Sequence, residues 1–125
     1  MILTNNEIYN YANALVSAFQ DKEQRLPIRL NFFIQKNKAT LINLAQEIEK
    51  SRMEIAQSYG ELDTESNQYV IAPDKIVETQ KELNDLFSLE QEVNIGVIKA
   101  SCLSDDYNLS TAQMEAIMFM IDEEA

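Results

Sequence analysis

The chain of 125 residues contains no histidine. That removes the side chain most often used as a base near neutral pH, the Ser-His and Cys-His nucleophile pairs, and most zinc sites. Its two glycines, Gly60 and Gly96, stand far apart, so they build no loop of the kind that cradles a phosphate. Asp63, Glu65, Asn67 and Asp74 follow the spacing of a calcium loop. Gln68, however, stands where such a loop needs its turn glycine, and the short Asp74 stands where it needs a bidentate glutamate. A solvated loop is the better reading. Cys102 is followed by Asp105 and Asp106, whose charges would raise a thiol pKa, so a buried structural thiol is expected rather than a reactive thiolate. Arg25, Arg29, Lys36 and Lys38 form a basic cluster. It reads as a solvated face or as internally paired with the acidic half, or else as a patch for phosphate or an acidic partner.

Charge is divided unevenly along the chain. Residues 1–60 carry seven bases against six acids, a net of +1; residues 61–125 carry three bases against fifteen acids, a net of −12. The second half repels nucleic acid and anionic membranes and attracts basic partners. The same acids also confer solubility, and either role accounts for the run. There is no tryptophan and bases are few near the aromatics, so direct nucleic-acid binding is not expected. The N-terminal MILTNNEIYN has neither the basic nor the long apolar part of a signal peptide. No stretch approaches the ~20 apolar residues that span a bilayer. A single cysteine suits a reducing cytoplasm.

These groups need elements to hold them, and with two glycines and two prolines those elements should be long helices. Thr4-Asn5-Asn6-Glu7 is a capping box, in which the Thr hydroxyl and the Glu carboxylate each satisfy an orphan backbone N–H. Ile8, Ala12, Leu15, Val16 and Phe19 continue from it at helical spacing, and this helix should fade near Glu23. Pro27 suits a first helical position and Gly60 the residue past an end, which predicts a helix over 28–59. Leu30, Phe33, Ile34 and Leu41, then Leu44, Ile48 and Ile55, form its stripe. QYVIA (68–72) reads as a short strand. Pro73-Asp74 opens a third helix with inner face Ile76, Gln80, Leu83 and Phe87. EVNIGVIKA (92–100) reads as a strand pairing with QYVIA in a ribbon. The expected fold is therefore mainly α with a small β ribbon (α+β): one domain, 1–125, in which a long amphipathic helix packs with three shorter helices and a two-stranded sheet. Leu41, Leu44, Ile48, Leu83, Phe87, Ile95, Ile117 and Ile121 should form its core.

The chain closes on MEAIMFMIDEEA. Ser110-Thr111-Ala112-Gln113 is a second capping box, so a last helix starts there. At about 100° per residue, Phe119 and Met120 cannot both share the face of Ile117 and Ile121. Met114, Ile117, Met118 and Ile121 are therefore expected to anchor it, with Phe119 and Met120 at an exposed edge. Asp122, Glu123 and Glu124 follow at a helix C-terminus, where the macrodipole disfavours acids. They serve solubility or a basic partner instead. The candidate partner-binding residues are thus Phe119, Met120, Asp122, Glu123 and Glu124, with Asp105 and Asp106 before them.

Several segments together resemble a known group. LPIRLNFFIQKNKATL, IEKSRMEIAQSYGELD, ELNDLFSLEQEVNIGVIKASCL and MEAIMFMIDE are similar to a family of small hypothetical proteins from tailed phages of Gram-positive bacteria. The shared features are the Leu26-Pro27 start, the Lys36-Asn37 step, the Tyr59-Gly60 helix end, the acidic Glu90–Glu92 run and the apolar-acidic finish. The resemblance spans most of the chain. It implies a phage origin and an accessory role inside a bacterial cell, and it carries over no functional residue.

The missing catalytic groups argue against an enzyme and no cofactor or metal is implied. The expectation is a small acidic accessory protein of the host bacterial cytoplasm that binds and inhibits or redirects a host protein, a defence factor included. The alternative is a virion structural or tail-assembly helper, since Met-rich faces adapt to varied partners. A homodimer through the long helix is expected in either case.

Overall fold

The computed structural model describes residues 1–103 and 109–122. The fold is mainly α with small two-stranded β pairs. A short strand, β1 (Ile2–Thr4), leads into α1 (Asn5–Ala18). The predicted capping box forms: Thr4 Oγ1 accepts from the Glu7 N–H at 3.1 Å, and Glu7 Oε1 accepts from the Thr4 N–H at 3.0 Å. α2 (Ile28–Tyr59) has the predicted bounds. At 1.5 Å per residue its 32 residues make a rod about 48 Å long. β2 (Gly60–Asp63) and β3 (Gln68–Ile71) follow, then a 3-10 turn at Pro73–Lys75 and α3 (Ile76–Ser88). The chain continues through β4 (Glu90–Glu92), β5 (Ile98–Lys99), α4 (Thr111–Ile117), a 3-10 turn (Met118–Met120) and β6 (Ile121–Asp122).

α1 packs along α2. Tyr9 reaches Glu49 with its hydroxyl at 3.4 Å, so the start of the shorter helix meets the later part of the longer one. The core between them is Ile8, Ala12 and Leu15 from α1 and Leu30, Ile34, Leu41 and Ile48 from α2, closed by Leu3, Val93, Ile98, Ala116, Ile117 and Met120. Of the eight expected core residues, Leu41, Ile48 and Ile117 are fully buried. Leu44, Phe87, Ile95 and Ile121 pack partly buried against them, and Leu83 is half-buried.

The strand pairing differs from expectation. β3 pairs antiparallel with β2 (Leu62 opposite Tyr69), β1 with β4 (Leu3 opposite Gln91), and β5 lies parallel to β6 (Ile98 opposite Ile121). Residues 93–97 form no ladder. The reason is local. Asp63 closes the β2–β3 turn by itself, its carboxylate accepting from the Glu65 N–H at 3.1 Å and the Ser66 hydroxyl at 2.9 Å, while Asn67 takes a positive φ of 57°. A short turn is entropically cheaper than pairing β3 with a segment some twenty residues on. The calcium-like spacing is thus the turn of a hairpin.

Within this segment Gly96 finds another partner in Asn37. This residue sits at 0% exposure in the middle of the α2 stripe. Its Nδ2 donates to the Gly96 carbonyl at 2.9 Å and its Oδ1 accepts from the Gly96 N–H at 2.8 Å. One amide side chain thereby does for Gly96 what a neighbouring strand would do. The approach is close because Gly96 has no Cβ: an added one would overlap the Phe33 ring.

Two helices end or face differently from expectation. α1 stops at Ala18 rather than near Glu23, because Gln113 Nε2 takes the Ala18 carbonyl at 2.9 Å and the chain turns away. Gln113 also completes the second predicted capping box with Ser110, so one side chain starts α4 and finishes α1. In α3, Ile76 and Gln80 face solvent, and Thr79, Leu83, Leu86 and Phe87 turn inward. The 3-10 turn ahead of the helix sets this rotation.

Candidate interaction surfaces

The tail does not present the edge expected of it. α4 stops at Ile117 and a 3-10 turn carries Met118–Met120. At three residues per turn, Met120 falls under Ile117 rather than beside it. Met120 is 0% exposed, whereas Met114 and Met118, the expected anchors, are 37% and 51% exposed. Phe119 is half-buried and stacks on Tyr11, with ring centroids 4.3 Å apart and planes within 7°. Burial, and then the nearby Glu7 carboxylate, raise the Tyr11 hydroxyl pKa. Asp122 is half-buried in β6, opposite Lys99. Asp105, Asp106, Glu123 and Glu124 lie outside the described residues, as does the Cys102 side chain. The structure therefore buries Met120 in the core, packs Phe119 half-buried against it and places Asp122 in the β5–β6 pair.

Two sets of exposed apolar groups lie at the ends of α2. At its start, Ile28 is 88% exposed and Phe32 61% exposed. They are one helical turn apart, and Arg29 and Lys36 share their outward side. Beside them an open cleft of about 810 Å³ lies between the end of α1 and the start of α2, lined by Val16, Phe19, Lys22, Arg25, Ile28 and Lys38 among others. Among the described residues no carboxylate lies within ion-pair distance of Arg25, Arg29, Lys36 or Lys38. Arg25, Arg29 and Lys36 are exposed, so among the described residues the cluster is a solvated face rather than an internally paired one.

The far end is acidic. The β2–β3 hairpin springs directly from Tyr59–Gly60, and the first turns of α3 return beside it. The Tyr59 hydroxyl pKa is raised, first by desolvation and then by Glu82 and Glu78, which sets those carboxylates against the end of α2. Glu61, Glu65, Asp74, Glu78, Glu82 and Asp85 are all exposed, and among the described residues none has a Lys or Arg within ion-pair distance. Val77 (80% exposed), Val70 (58%) and Leu62 (49%) lie among them. Asp63 is the exception to this solvation: the Glu65 N–H, then the Ser66 hydroxyl, hold its pKa below the usual carboxylate range.

These surfaces combine exposed apolar side chains with charges that, among the described residues, form no ion pair, the composition that protein interfaces use: an apolar centre for affinity and a charged surround for steering. A signal for part of this was present in the sequence. Phe32 stands about 200° around the helix from both Leu30 and Ile34, so a stripe through those two leaves it outside. For Val77 no such signal existed, because the rotation of α3 depends on the turn before it. Among the described residues no helix is long and apolar enough to cross a membrane. No protein-family model, curated protein or solved structure matches the chain.

Proposed function

We propose that this protein acts without catalysis, as a small acidic phage-encoded accessory protein that binds a host protein in the bacterial cytoplasm and inhibits or redirects it, a defence or nucleic-acid-handling factor being the expected class. One observation carries this reading: Glu61, Glu65, Asp74, Glu78, Glu82 and Asp85 are exposed with no Lys or Arg within ion-pair distance among the described residues, and Val70 and Val77 stand uncovered near them. A face of that kind suits a partner whose own site is basic with apolar relief, such as one that ordinarily takes nucleic-acid phosphates. The phage origin rests on the resemblance of the segments quoted above.

The test is affinity capture from a bacterial lysate, followed by binding of the captured protein in purified form. Binding should fall sharply at ~1 M salt, where the Debye length is about 3 Å. Val77→Lys, placed amid the acids, should weaken it roughly tenfold or more, as truncating a central interface residue does. Binding indifferent to both salt and Val77→Lys would sink the proposal. A second reading, a virion structural or tail-assembly helper, is favoured by the length of α2 with its differently charged ends. Capture of phage tail components rather than a host protein would decide for it.

A further inference from the structure

The geometry points to head-to-tail association of this chain, in which the basic end of α2 on one copy docks against the acidic end of the next. Residues 19–38, at the first end, hold five bases and two acids; residues 60–88, at the other, hold two bases and seven acids. The ends carry net charges of +3 and −5. Each displays uncovered apolar side chains: Ile28 and Phe32 at one, Val70 and Val77 at the other. α2 is a single unbroken helix, so it holds the two ends apart and they cannot meet within one molecule. Their separation, of the order of the ~48 Å rod, is several Debye lengths, so neither field cancels the other in solution.

A second copy in the same orientation satisfies the opposite charge and the exposed apolar surface of both ends together. A symmetric dimer through the first end would set Arg29 and Lys36 near their own counterparts, with a like-charge cost that the head-to-tail arrangement avoids. The contact is therefore heterologous: a residue of one face meets a different residue of the other, and nothing in it limits assembly to two copies. The cleft beside Ile28, lined by Val16 and Phe19 and by Lys22, Arg25 and Lys38 against the single acid Asp21, is placed to receive an apolar side chain that arrives with acids around it. Val77 is the most exposed such side chain at the acidic end, with Asp74, Glu78 and Asp85 along the same region and Lys81 one turn on.

The inference shares with the proposed function the view of the acidic end as a binding face. The two fail separately, because self-association is measured on purified protein and host capture on a lysate. Sedimentation velocity on wild type should show a mass that rises with concentration past that of a dimer, and that falls at ~1 M salt. Phe32→Glu blocks the basic end and Val77→Lys the acidic end; each alone should weaken association roughly tenfold or more and sediment as a monomer. Mixed in equal amounts, the two variants each retain one intact, mutually complementary end, and should form a one-to-one dimer that grows no further. Circular dichroism checks that both fold, and Ile28→Glu replaces Phe32→Glu if that variant does not. A wild type that stays monomeric at all concentrations would overturn the inference. So would a wild-type dimer that does not grow, or a mixture that remains monomeric while wild type associates.

Discussion

Replacing Asn37 should expose how much of the fold hangs on one amide. In Asn37→Ala, Gly96 loses the acceptor for its N–H (2.8 Å) and the donor to its carbonyl (2.9 Å) together. A stranded polar group costs about 1–3 kcal/mol, and Gly96 is only half-buried, so water relieves part of the loss. The sum is about 2–4 kcal/mol, out of the ~5–15 kcal/mol that holds a small domain together. For a chain of this size that is a fall in Tm of roughly 10 °C. Asn37→Leu fills the same space without bonding and should lose a similar amount, which separates hydrogen bonding from cavity formation. Asn37→Asp is the sharper probe. A carboxyl group at this fully buried position has its folded pKa raised above the unfolded value of about 3.9, because burial disfavours the charged form. Below the unfolded value the protonated group can still donate to Gly96. As pH rises through the folded pKa that stability is lost. The penalty of Asn37→Asp relative to wild type should therefore be small in acid and grow toward neutral pH. Urea titrations of the four proteins at several pH values measure this. A loss below ~0.5 kcal/mol in Asn37→Ala, the scatter of ordinary surface changes, would refute the reasoning, as would an Asn37→Asp penalty independent of pH.

Three further outcomes follow from the packing. Gly96→Ala should cost about 1–3 kcal/mol by driving a methyl group into the Phe33 ring, and Phe33→Leu in the same chain should recover part of it in a double-mutant cycle. Met120→Ala should cost about 2–5 kcal/mol by denaturant unfolding, while Met118→Ala, half-exposed, should stay within about 0.5 kcal/mol of wild type. In the hairpin, Asp63 has a folded pKa below its unfolded one, so its stabilisation is present above the unfolded value and lost as pH falls through the folded one. Asp63→Asn should accordingly lower Tm at neutral pH, and the difference from wild type should close in acid.

The helix starts were legible because capping is a local transaction. Thr4 with Glu7 and Ser110 with Gln113 settle their orphan N–H groups within four residues, and both boxes form as read. Pro27 and Gly60 likewise bracketed α2 to the residue, each acting on its own backbone. The lopsided charge was legible by counting. Asn37 was visible as a polar residue between Ile34 and Leu41 on an apolar stripe, but nothing nearby in the chain announces Gly96, 59 positions away, as its partner.

Composition, caps and periodicity thus determined by themselves that this protein is mainly helical, where α1, α2 and α4 begin, how long its central rod is and which half carries the acid, since each depends on residues a turn or two apart or on a simple sum. Tertiary structure alone decided which strands pair, that the tail tightens into a 3-10 turn to bury Met120, and that α3 rotates to leave Val77 in water. Those outcomes rest on competition between distant partners for the same buried space. A side chain's own type and its neighbours in sequence do not rank those partners; the packed neighbours in space do.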